Sequence, residues 1–204
     1  MLGTNLKKHI NEFRRYITNH QYERTETGIY CPAAHVGIGG VYVHNVNGED
    51  EQSDKNTITD EGLEHMLAVV MLGTPVAVAD WYVMIFSGTG TPATTTTAAS
   101  FQNELTEIVA TSGDPGGYAG AVRMTWTPDA IATGGVNSVT NAATPATFTV
   151  VSSGTLIVRG AALTSDQAKS AATGTLMSAG KFSAARNLVN ADEFNLKYKV
   201  DFDN

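Results

Sequence analysis

The strongest constraint on this chain lies in its last stretch. In the segment Asp192 to Asp203, apolar and polar residues alternate without a break from Glu193 onward. Phe194, Leu196, Tyr198, Val200 and Phe202 fall on one parity, and Asn195, Lys197, Lys199, Asp201 and Asp203 on the other. Successive side chains of a strand point to opposite faces, so the five apolar groups share one side. A strand with one face in a core and one in water belongs to an antiparallel sheet. The pattern therefore predicts a compact β domain.

The second half of the chain repeats this theme in shorter pieces. Tyr118 to Trp126 places Tyr118, Val122, Met124 and Trp126 on one face. Phe148-Thr149-Val150-Val151 and Leu156-Ile157-Val158 flank a turn at Ser153-Gly154, and Thr175 to Phe182 reads as a further strand. Upstream, Val36 to His44 and Trp81 to Phe86 are strand-like, the latter apolar on both parities and hence buried on both faces. Short strands at regular spacing predict a sandwich or barrel.

Two segments carry helical periodicity instead. In the first, over residues 4–19, Leu6, Ile10, Phe13 and Ile17 are spaced four, three and four, which is one narrow helix face. Such a terminal helix either covers its own domain's sheet or docks on a neighbouring subunit. The second opens at Thr59, a good N-cap, followed by Asp60 and Glu61, which complement the positive end of the helix dipole. Leu63, Met66, Leu67, Val70 and Met71 form its expected buried face, and Gly73 and Pro75 stop it. Asn45 to Asn56 reads as a polar, acidic loop, and Ser87 to Ser100, with its run of four threonines, as a long exposed one.

Charge sharpens the division. The 204 residues carry a net charge of −7, yet residues 1–24 alone carry +3 and the remainder −10. An acidic body argues against wrapping nucleic acid, whose phosphates need clustered cations. The basic segment suits an acidic protein partner equally well. Only 16% of residues are charged, against about 25% in an average domain, and small residues fill the difference. The single cysteine, Cys31, cannot form an internal disulfide and reads as a small buried hydrophobe. The first residues contain no apolar segment or cleavage site of a secretory signal, so no export is expected. The longest apolar run, Met66 to Leu72, is far shorter than the roughly 20 residues of a membrane span.

Reaction chemistry is sparse. His9, His20, His35, His44 and His65 form none of the close pairs that hold zinc. The acids Glu49, Asp50, Glu51 and Asp54 lack the ligand order of a calcium loop. Gly37-Ile38-Gly39-Gly40 and Gly88-Thr89-Gly90-Thr91 lack the spacing of a phosphate-binding loop, and read as sites of close backbone approach. The serines at 153 and 178 lack a nucleophile elbow. Glu104 and Glu107 could face each other on a helix, and Trp81 and Trp126 read as core. No catalytic, cofactor or metal site is expected, and no enzyme.

The order of several segments resembles a family of small virion proteins of tailed bacteriophages, which serve as head decoration, cement, collar or tail-attached components. The resemblance rests on Asn56-Thr57-Ile58-Thr59-Asp60-Glu61-Gly62-Leu63 opening a helix, on Trp81-Tyr82-Val83-Met84-Ile85-Phe86, and on Thr91-Pro92 in the threonine-rich loop. It continues through Tyr118 with Arg123 and Trp126, Phe148-Thr149-Val150, Gly160, and Leu176-Met177-Ser178-Ala179-Gly180-Lys181-Phe182. It spans roughly residues 56 to 203 and leaves out the N-terminal arm. It implies a structural protein of the virion, assembled in the host cytoplasm, with the major capsid protein or other virion proteins as partners.

Together these readings predict a mainly β chain. Residues 1–24 would be an N-terminal helical arm, and residues 25–204 a single antiparallel β-sandwich, jelly-roll-like, with one internal helix. The expected function is that of a capsid decoration or cement protein, forming a dimer or trimer, with no membrane and no nucleic acid partner. The arm face Leu6, Ile10, Phe13 and Ile17 would bury against a neighbour, and loops 47–56 and 88–100 would add polar contacts. A tail, collar or fibre-anchoring role, or a carbohydrate-binding sandwich, is the alternative.

Overall fold

A computed structural model describes residues 22–24, 30–32, 37–73, 77–131 and 137–203. The chain divides into two compact units, Met1–Gly37 with Phe202–Asn204, and Ile38–Asp201. In the first, β1 (Tyr22–Arg24) and β2 (Tyr30–Pro32) pair antiparallel with Glu23 opposite Cys31. The arm-face residues Leu6, Ile10, Phe13 and Ile17 lie outside the described residues.

The second unit is mainly β, with two antiparallel sheets and little helix. The first sheet comprises β3 (Gly37–Val46), β4 (Glu49–Lys55), β7 (Gly117–Tyr118), β9 (Ser138–Thr140), β10 (Ala146–Val151) and β13 (Glu193–Asp203). Its order is β4-β3-β13-β10-β7, with β9 also on β13. The second comprises β5 (Thr57–Ile58), β6 (Trp81–Phe86), β8 (Met124–Trp126), β11 (Leu156–Thr164) and β12 (Leu176–Leu188), in the order β5-β12-β11-β6-β8. Between β7 and β13 the chain changes sheet at four of six connections, so β10 and β11 are not hairpin partners despite the short turn between them.

The two sheets share one core. Tyr42, Tyr118, Phe148, Val150, Phe194, Leu196 and Tyr198 from the first sheet meet Val83, Ile85, Trp126, Leu156, Val158, Leu163, Met177, Phe182 and Leu188 from the second. The alternation of the last strand is realised through its first three inward residues, since Phe194, Leu196 and Tyr198 are fully buried. Val200 is half-buried, and Phe202 is exposed. Removing a large side chain of this kind from water contributes about 1.5–3 kcal/mol. A smaller cluster of Met84, Phe86, Ala98, Phe101, Leu105, Ala162, Leu176 and Ala179 lies on the other face of the second sheet. That is why β6 is apolar on both parities.

Three sequence expectations are corrected here. The acidic loop is a hairpin: β3 and β4 pair from Val41–Lys55 to Val46–Glu49, and only Asn47 and Gly48 turn. Its acids line an edge strand, where like charges discourage pairing with another chain. The segment 118–126 is not one strand. Tyr118 pairs with Val150 in the first sheet while Met124 and Trp126 pair with β6 in the second, and Val122 between them is exposed. The long threonine-rich loop is pinned along its length rather than free. The Thr96 hydroxyl donates to Glu104 (2.7 Å), Ala98 N donates to Glu61 (2.9 Å), and Pro92, Thr96 and Ala98 are buried.

Candidate interaction surface

The internal helix is built largely as its sequence requires at its start. Asp60–Leu67 is α-helical, and Ala68–Leu72 continues it as a wider π-helical turn. The Thr59 side chain accepts from Gly62 N (3.1 Å), the expected N-cap, and its hydroxyl donates to Leu176 O of β12. Glu61 accepts from the backbone N–H groups of Leu176 (2.8 Å) and Ala98 (2.9 Å). Gly62 touches β12 so closely that a Cβ would stand 2.5 Å from Met177 O. Met66 packs against the shared core, and His65 meets the edge of Trp81 at 5.7 Å.

Beyond Met66 the helix leaves the body. Leu67 is 63% exposed, Val70 77%, Met71 74% and Leu72 74%. The sequence predicts Leu67, Val70 and Met71 as buried. The structure corrects this: the contacts that hold the helix lie in its first two turns, and these three side chains stand in solvent. Gly73, at φ 65°, ends the helix in the left-handed conformation that glycine adopts without strain. Leu67, Val70, Met71 and Leu72 lie within six residues and are all exposed, so this end of the helix presents a cluster of large apolar side chains. Exposed Asp60 and Glu64 lie toward the N-terminus of the same helix, and exposed Asp80 lies next to Trp81. The result is an apolar patch with an acidic border.

The buried charges have a different character. Glu107 and Arg123 form a bidentate pair (Nε to Oε1 2.8 Å, Nη2 to Oε2 2.7 Å), both almost wholly buried. Gln102 and Ser170 N donate to the same carboxylate, and Arg123 Nη1 donates to Asp166 O. The pair ties the residues after the short helix Phe101–Leu105 to the 166–171 segment. Glu104 and Glu107 thus part company: the first faces the threonine-rich loop, the second the ion pair.

On the opposite side, His44 of β3 is buried between Asp54 of β4 and Arg186 of β12. Arg186 Nε can only donate, so His44 Nδ1 accepts from it (3.0 Å) and Nε2–H donates to Asp54 (3.0 Å). The ring stacks on Phe182 at 3.8 Å. Burial pushes the His44 pKa below its ordinary value, with Arg186 adding to the effect over the opposing pull of Asp54. Burial raises the Asp54 carboxyl, but hydrogen bonds from His44 and Ser183 outweigh it and hold it below the ordinary range. A third centre joins Tyr42, stacked on Tyr198 at 4.5 Å, to Ser178 and Asn56. Burial lifts both phenols, Tyr198 to about 12 and Tyr42 well above 10, so each stays a neutral partner. In all three centres the charged or polar groups join segments far apart in the chain. Of these groups, Glu107 stands at the wall of a cleft of about 390 Å³. That cleft is lined mainly by apolar atoms of Ile108, Val109, Pro115 and Ile157, with Arg159 hydrogen-bonded to Ser87 O (2.9 Å).

Among the described residues, no group of three or more His, Cys, Asp or Glu is placed to hold a metal ion, and no helix is long and apolar enough to cross a membrane. Gly40, Gly88 and Gly90 sit against neighbouring backbone or polar atoms, as close-approach glycines rather than phosphate cradles. The patch on the helix was half legible in the sequence: its periodicity is plain, but the side it faces is not. A scan against protein-family models finds no match, and a search of curated proteins finds none either.

Proposed function

We propose that this chain is a structural protein of a bacteriophage virion, a capsid decoration or cement protein that holds the head together through subunit contacts. The observation that carries the reading is the apolar face of Leu67, Val70, Met71 and Leu72, presented to solvent by a helix whose first turns are tied to the body. An isolated soluble domain has little reason to keep four large apolar side chains together in water, whereas a subunit designed to meet a neighbour does. The resemblance of residues 56–203 to small virion proteins supports the same reading. So do the buried Glu107–Arg123 and His44–Asp54–Arg186 groups, which brace the domain by tying distant segments together. In this reading the two sheets form a jelly-roll-like sandwich, and residues 1–24 a helical arm that reaches the adjoining subunit. The partners are the major capsid protein or other virion proteins, with the chain itself a dimer or trimer.

Quantitative mass spectrometry of purified particles tests the reading. The chain is expected in many copies per particle, in fixed ratio to the major capsid protein. A few copies per particle would move it to the tail, collar or a fibre anchor. Its absence from particles would overturn the virion assignment. Deleting residues 1–20 should lower occupancy on the particle, and unchanged occupancy would remove the arm from the mechanism.

A further inference from the structure

We infer that the exposed face of the internal helix is the receptor for the N-terminal arm of a second copy of this chain. The inference rests on the virion reading above and names the contact through which copies would join. The receptor is a row of Asp60, Glu64, Leu67 and Met71, spaced four, three and four, with Val70 and Leu72 beside it. The arm, outside the described residues, carries Leu6, Ile10, Phe13 and Ile17 with the same spacing, flanked by Lys7, Lys8, Arg14 and Arg15. An amphipathic segment laid on an exposed apolar surface is a recurring recognition mode.

Charge selects this occupant over the simplest alternative. If two copies met patch to patch, Asp60 and Glu64 of one would face the same acids of the other, on bodies that each carry −10 outside residues 1–24. The arm, at +3, instead brings cations to that acidic border. Each copy then both offers an arm and receives one. Such head-to-tail contacts close into a ring, of which a reciprocal pair or a three-membered ring is the smallest.

The test uses the full chain with a photo-crosslinking amino acid at Phe13, mixed from isotopically light and heavy preparations. The expected product is a crosslink from residue 13 of one copy to residues 64–73 of the other, in an oligomer seen by sedimentation velocity. Leu67→Lys with Met71→Lys, both at exposed positions, should weaken the oligomer at least tenfold without unfolding the domain. Ile10→Asp with Phe13→Asp should do the same. Reversing charge at Asp60 and Glu64 to Lys should weaken it as well, and adding Arg14→Glu and Arg15→Glu should restore it. Added salt should weaken the native oligomer. A chain that stays monomeric at 100-fold the concentration used for particle binding would overturn the inference, as would crosslinks confined to one copy or to another surface. If the chain binds particles but crosslinks only to the major capsid protein, the inference falls and the virion reading stands. If arm-to-helix crosslinks form but the chain is absent from particles, the virion reading falls and the inference stands.

Discussion

The last strand and the internal helix carry equally clean apolar periodicity, and they end in opposite environments. Phe194, Leu196 and Tyr198 are fully buried, whereas Leu67, Val70 and Met71 stand in solvent. The difference is one of attachment. β13 is hydrogen-bonded to neighbours on both sides, β3 and β10, so its inward face has to meet the opposite sheet. The helix is held through Thr59, Asp60, Glu61, Gly62, His65 and Met66, whereas Leu67, Val70, Met71 and Leu72 of its later turns are exposed. Periodicity states that a face is meant to be covered. Only tertiary contacts say whether the same chain covers it.

The sharpest way to break this comparison is to truncate each face and compare the costs. Phe194→Ala, in the fully buried strand, should lower the unfolding free energy by about 3–5 kcal/mol in urea titration. Met71→Ser should change it by no more than about 0.5 kcal/mol, as at an exposed site. Similar costs for the two would mean that the helix face is covered within the chain. The buried Glu107–Arg123 pair should behave like core: Arg123→Met alone leaves an uncompensated buried carboxylate and should cost about 3–5 kcal/mol. Pairing it with Glu107→Leu should recover most of that loss, because no charge is then stranded.

Acid should act through the other polar centre. The His44 pKa is depressed in the fold, so below pH of about 6.5 the unfolded chain takes up a proton that the folded imidazole resists. Stability is therefore complete above that pH and falls as pH drops toward the folded value. A second loss follows through the carboxylate range, because the Asp54 pKa is also depressed. Urea midpoints measured from pH 8 to pH 3 should show both steps, and His44→Gln should remove the upper one. A midpoint that rises on acidification would contradict the neutral His44 placed between Asp54 and Arg186. At the smallest scale, Thr59→Ala removes the N-cap and should cost about 1 kcal/mol by the same titration. It should also loosen the helix selectively, seen as faster amide exchange over residues 60–67.

Much of this division was legible in the residues. The alternation of 194–203, the doubly apolar β6, the Thr59 cap and the Gly73 stop all describe local chemistry that the fold keeps. What could not be read were contacts between distant segments. Nothing in the sequence around Arg123 announces Glu107, and nothing near His44 announces Arg186, 142 residues away. The acids of 49–54 read as loop because their charge masks a hairpin whose partner is β3. Tyr118 to Trp126 reads as one strand because parity survives the crossing between sheets, at exposed Ala119 to Val122. The helix face shows the same limit. Its apolar stripe was visible, but its exposure was not.

The most direct measurement is a reconstruction of the purified particle at side-chain resolution, read for what touches Leu67, Val70, Met71 and Leu72. The account predicts these four side chains buried against a neighbouring subunit. Finding the chain in place on the particle with the same four side chains open to water would contradict it.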